Sequence, residues 1–194
     1  MIFMSANNKT ESVTFRLSAN MINELRLEAD ENNLSLSTLV NQIIYAHNNW
    51  HKYATKAGFI PIPKVLQILF LDKITNDEIQ GIAKKKTDTC KDSIIMLRKE
   101  YTIETFLDAI ETWAKMSGFD CRTVTHEDKL RFIINHNMGE KWSLFLVSLI
   151  KHNLEDLLDK KVICELTDQT IMLEIERSAL IVKNTNESRN SHNF

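Results

Sequence analysis

The chain has 194 residues, a mass of 22.5 kDa and a formal net charge of −2. With 43% hydrophobic and 26% charged residues it has the composition of an ordinary globular protein, one large domain or two small ones, which excludes a disordered chain. Four glycines and two prolines favour helix over turn-rich all-β architecture, and no GxGxxG or GxxxxGK[ST] string offers a phosphate loop. The longest apolar runs, Val65 to Leu71 and Leu144 to Ile150, fall far below the ~20 residues of a membrane span. No basic-then-apolar leader is read at the start, and Cys90, Cys121 and Cys164 are too widely spaced for a zinc knuckle and odd in number. Together these features lead us to expect reduced thiols in a cytoplasmic protein with no membrane partner.

Residues 1–10 carry no periodicity and read as a flexible arm. Ser12-Val13-Thr14-Phe15-Arg16-Leu17 then alternates strictly, which predicts a short strand with Val13, Phe15 and Leu17 on one face and Ser12, Thr14 and Arg16 on the other. Ser18 is an N-cap candidate for a first helix whose stripe is Ile22, Leu25 and Ala29. Asn32-Asn33 closes that helix, because asparagine tolerates the left-handed conformation. Leu34 is an apolar plug, Ser35 a second cap, and Leu39, Val40, Ile43, Ile44 and Ala46 mark a second helix running to about Trp50 or Tyr53. A lone strand has no ladder partner, and some 45 residues make too small a core to stand alone. The pattern therefore predicts half of a dimer, with two strands pairing antiparallel and four helices interlocking.

On these residues, VTFRLSANMINELRLEADENNLSLSTLVNQII resembles the ribbon-helix-helix DNA-binding proteins of the Arc, MetJ and CopG type. The resemblance covers residues ~11–50 of a DNA-binding and dimerisation module read as 11–53, and its carriers are the alternating strand into Arg16-Leu17-Ser18, the Leu25 and Ala29 pair, and Leu34-Ser35-Leu36-Ser37. It implies a homodimer whose two-stranded ribbon enters the major groove of double-stranded DNA. Ser12, Thr14 and Arg16 would then contact bases, and Ser35 with the backbone amides of Leu36 and Ser37 would contact the DNA backbone through the positive end of the helix. The turn often carries a basic residue where this chain has Leu36. Residues 1–60 hold five basic (Lys9, Arg16, Arg26, Lys52, Lys56) and five acidic side chains, so non-specific affinity should be weak.

Residues 54–62 form the one obvious linker, and 63–182 read as a C-terminal α+β domain. Pro63 suits a first helical turn, and Val65, Leu66, Leu69 and Phe70 give the next helix an apolar face. Thr75-Asn76-Asp77-Glu78 caps a helix with Ile79, Ile82 and Ala83. Asp92 to Arg98 and Thr102 to Met116 are helical, the latter with Phe106, Leu107, Ile110 and Trp113 on one face, and Ser117-Gly118 stops it. Cys121 to Thr125 and Leu130 to Ile134 predict one hairpin, Val162 to Leu166 and Thr170 to Ile175 another. Between them Gly139 to Leu158 is a strongly amphipathic helix with Trp142, Phe145, Leu146, Leu149 and Leu157 facing a core. This hairpin-helix-hairpin order loosely resembles vinyl-4-reductase-like small-molecule sensor domains, although it carries no diagnostic motif. Residues 183–194 are polar and read as a disordered tail.

Little in the chain suggests catalysis. There is no GxSxG elbow and no activated cysteine, and the acidic residues are interspersed with lysines as on solvated helix faces. His47 and His51 have the i, i+4 spacing of a metal pair, but two ligands do not close a site, and they read instead as exposed helix-end histidines favoured by the dipole. His136, in Asn135-His136-Asn137, reads as a loop cap or a ligand contact, and Lys84-Lys85-Lys86 as a solvated helix end or a contact to flanking DNA. The expectation is a non-enzymatic, sequence-specific transcription regulator without cofactor or metal. Its second domain senses a small molecule, adds dimer contacts or binds a protein. The alternative is an antitoxin-like interaction dimer whose second domain holds a protein partner.

Overall fold

The computed structural model describes residues 10–126, 128–158 and 162–176. The chain is α+β and divides into two compact units, Met1–Lys52 and Tyr53–Phe194. The expected tail 183–194 and nearly all of the expected arm 1–10 lie outside the described residues.

In the first unit, α1 (Ala19–Glu31) starts where Ser18 Oγ accepts the Met21 N–H at 3.3 Å. It ends at Asn33, φ 53°, where Leu34 N–H donates to Ala29 O at 2.8 Å and Asn33 N–H to Asp30 O at 3.1 Å. That paired closure satisfies carbonyls the helix leaves free. The second helix, α2 (Leu36–Ala46), is shorter than expected. From His47 to His51 the backbone widens into a π-turn before a short α3 (Lys52–Ala54). The apolar spacing cannot reveal a one-residue insertion that leaves the chain helical on both sides.

The second unit contains α4 (Lys64–Leu71), α5 (Asn76–Lys85), α6 (Thr87–Arg98), α7 (Ile103–Met116), β1 (Asp120–His126), β2 (Lys129–Asn135), α8 (Glu140–Leu158), β3 (Ile163–Leu166) and β4 (Thr170–Glu176). Its four strands form one antiparallel sheet in the order β1-β2-β4-β3. The register places Thr123, Phe132, Leu173 and Cys164 in one row across the sheet, and Cys121, Ile134, Ile171 and Leu166 in the next. Phe132, Ile134, Ile171 and Leu173 are buried there, because period-2 alternation delivers them to the same face. The core is completed by Ile103 and Phe106 of α7 and by Leu146, Ile150 and Leu154 of α8. The opposite sheet face is open to solvent, with Glu174 gripped by Lys129 and Arg131.

Local chemistry explains the helix boundaries. Thr75 and Glu78 form a reciprocal capping box on α5, and Thr102 with Thr105 does the same on α7. Helix α6 begins at Thr87, five residues before the sequence reading, with Thr87 Oγ1 donating to Lys84 O at 3.0 Å. Arg98 fastens α6 to α7 through Asp108 at 2.5 Å and Thr112 Oγ1 at 2.7 Å. The apolar face of α4 is not the side that meets the core. Val65, Leu66, Leu69 and Phe70 of α4 are exposed, and it is Ile68 and Leu71 that meet the core.

Candidate nucleic-acid interface

The first unit buries little. The stripe of α1 is Ile22 and Leu25, half-buried, and Ala29, buried; across from it α2 contributes Leu39. Val13, Phe15 and Leu17 are 69%, 64% and 45% exposed, and Met21, Ile43, Ile44 and Tyr45 are also exposed. So many large apolar side chains on a unit this small exceed what single surface residues explain.

Residues 12–17 form no strand in the single chain, which departs from the expected ribbon. The reason is physical: a strand exists through its ladder, and no described residue pairs with this segment. Ser12, Thr14 and Arg16 are all exposed and make no hydrogen bond among the described residues. The parity of the segment sets them opposite Val13, Phe15 and Leu17 once it is extended.

At the second helix start, Ser35 Oγ accepts the Thr38 N–H at 3.1 Å and lies 2.7 Å from Thr38 Oγ1. The N–H groups of Leu36 and Ser37 meet no acceptor among the described residues. They are two of the orphan donors at a helix N-terminus, where the dipole favours an anion. Ser35 and Ser37 are exposed and Leu36 is half-buried, so this end is open to solvent. The sequence reading named these positions but missed the π-turn beyond them, on which His47 and His51 are exposed and Trp50 is buried. Among the described residues no cluster of three His, Cys, Asp or Glu side chains gathers, around that pair or elsewhere.

In the second unit the chemically suggestive group is His136, only 2% exposed. Its Nδ1 accepts the Met138 N–H at 3.0 Å, so Nε2 carries the proton and donates to Ser143 Oγ at 2.8 Å. Ser143 Oγ in turn donates to Thr167 O at 2.5 Å, and the backbone N–H of His136 donates to Gln169 O at 2.8 Å. A serine beside a histidine suggests a nucleophile and its base, but this imidazole has no free lone pair facing the hydroxyl. The arrangement is a lock joining the end of β2, the start of α8 and the β3–β4 turn. Burial lowers the histidine to about 4, with Lys64 adding to the effect and Asp168 opposing it. Burial likewise raises Cys90, Cys121 and Cys164, to about 11, 12 and 11, so none is an activated thiol. Trp142 Nε1 and Asn135 Oδ1 are buried and have no hydrogen-bond partner among the described residues.

Among the described residues no helix is long and apolar enough to cross a membrane. Compared with protein-family models, curated proteins and solved structures, the chain matches none significantly.

Proposed function

We propose that the chain is a sequence-specific DNA-binding regulator that works as a homodimer, its N-terminal unit half of a ribbon-helix-helix module. The observation that carries this reading is the exposed alternation of Val13, Phe15 and Leu17 directly before a capped two-helix unit with almost no core of its own. Pairing with a second copy gives residues 12–17 a ladder and gives those side chains a partner's helices to cover them. The other parity, Ser12, Thr14 and Arg16, then faces outward as a two-stranded element of the width the major groove admits. Arg16 binds guanine O6 and N7 bidentately, Thr14 meets a base edge or a thymine methyl, and Ser12 adds a hydroxyl. Ser35 and the open amides of Leu36 and Ser37 hold a phosphate and so set register. Two-fold symmetry implies a pseudo-palindromic site.

The interaction-protein reading is favoured by one observation, the exposed apolar face of α4. The two readings part on DNA. Fluorescence anisotropy with DNA from the chain's own upstream region, at two salt concentrations, should give binding that Arg16→Ala weakens by about 1–3 kcal/mol. A folded dimer that selects no sequence even from random DNA would sink the DNA-binding reading.

A further inference from the structure

The face of α4 left exposed by the described residues of its own unit is free of charge, and the fold itself arranges this. Ile60, Val65, Leu69 and Phe70 are 72%, 61%, 50% and 63% exposed, with Leu66 and Ile62 beside them. The polar side chains nearest this face are drawn away from it. Lys64 Nζ sits over the Phe119 ring, 4.6 Å from its centroid, and Gln67 Nε2 donates to Ile62 O at 2.9 Å. The helix is also held rigidly from behind. Lys141 Nζ of α8 donates to Ile74 O at 2.6 Å and to Asp72 O at 3.1 Å, satisfying carbonyls just past the end of α4. Ile68 and Leu71 anchor its inner edge to the core. The result is a preorganised apolar ridge, bordered by Asp72 and Lys73.

We infer that this ridge is a second homodimer contact, α4 packing two-fold on α4 of a second copy. The inference rests on the ribbon dimer reading, which places that copy on the same particle. Three arguments select a copy of this chain as the occupant. First, an uncharged face is self-complementary, because a two-fold axis sets it against itself without opposing like charges. Second, Val65 with Leu69 and Leu66 with Phe70 form two adjacent i, i+4 rows, the ridges that interdigitate when helices cross. Third, the area suffices: six such side chains present on the order of 500 Å², above the scale of scattered surface residues. Two copies therefore bury about 1,000 Å², the lower bound for a specific interface. A contact this size is weak alone, but joined through the ribbon it acts at an effective concentration in the millimolar range.

Sedimentation equilibrium on the full chain tests the inference with four proteins: wild type, Phe15→Glu, Val65→Glu/Phe70→Glu, and the triple variant. Phe15→Glu is expected to retain a weak, concentration-dependent dimer, and adding the two α4 changes should weaken it at least about tenfold. In the wild-type background the α4 pair should weaken the dimer and leave a folded chain by circular dichroism, since both positions are exposed; Val65→Gln/Phe70→Gln replaces it if the charges disturb folding. A Phe15→Glu protein that is monomeric at every concentration overturns the inference, whatever occupies the ridge instead. So does one whose residual dimer ignores α4. Failure of the ribbon reading looks different: Phe15→Glu then self-associates as tightly as wild type, and only the α4 pair dissociates it.

Discussion

His136 makes the sharpest thermodynamic prediction. Folded, it titrates at about 4 instead of the ordinary 6.5, chiefly because burial disfavours the imidazolium, and both ring nitrogens are committed to partners that suit the neutral ring. A depressed histidine binds fewer protons folded than unfolded, so its contribution is fully favourable above pH 6.5 and is lost as pH falls from there toward 4. At pH 5 the unfolded chain is almost fully protonated at this position and the folded chain almost not at all, which lowers stability by about 2 kcal/mol relative to pH 7. The full difference, reached below pH 4, is about 3 kcal/mol. Glu78 and Glu174 are also held low, by hydrogen bonds from Thr75 and from Lys129 and Arg131 respectively, but an ordinary value of 4.5 keeps their effect mostly below pH 5. Between pH 5 and 7, comparison with a variant lacking the imidazole isolates the contribution of His136. Urea unfolding across that window, followed by tryptophan fluorescence, should show the slope in wild type and a flatter line in His136→Gln. Equal slopes would refute the reasoning, as would a His136 ring resonance that titrates near 6.5 in the folded protein.

Other consequences follow from burial and capping. Phe106→Ala removes a ring with no exposed surface and should cost about 3–5 kcal/mol, measured by urea unfolding. Ser35→Ala removes the acceptor of the Thr38 N–H and should cost about 1 kcal/mol of stability, read by thermal unfolding; on the DNA-binding reading it also weakens affinity for all sequences alike. Cys90, Cys121 and Cys164 should react with a thiol reagent at pH 8 far more slowly in the native protein than in urea, because burial keeps all three protonated.

What could be read from the sequence was what is decided locally. Ser18, Ser35 and Thr75 cap because a side-chain oxygen three residues from an orphan N–H is satisfied within its own turn, whatever surrounds it. Asn33 takes the left-handed position for an equally local reason. The strand faces of the second unit were also legible, since alternation and pairing register are the same fact seen twice. His136 was not: Asn-His-Asn suggests a loop polar to water, and only the closure of the β3–β4 turn over it makes the site dry. Nor was the Ser143 that pairs with it, which an amphipathic pattern reads as an interruption.

The ribbon strand and the apolar face of α4 stay without a partner in the single chain for one reason. Periodicity tells which side chains share a face, but the partner of that face is a property of the assembly. For Phe132 or Leu173 the partner is another part of the same chain, and the side chain is buried. For Phe15 and Phe70 the pattern is as strong, yet the single chain leaves each of them more than 60% exposed. An alternating segment and an amphipathic helix that both keep an uncovered apolar face point to one explanation better than to two unrelated ones. On the reading proposed above, their partners lie outside the single chain, and a second copy supplies both at once: a ladder for residues 12–17 and a matching ridge for α4. On that reading the second unit strengthens the dimer proposed for the first, and the expected outcome of a change that loosens α4 is weaker DNA binding through Arg16 at low protein concentration.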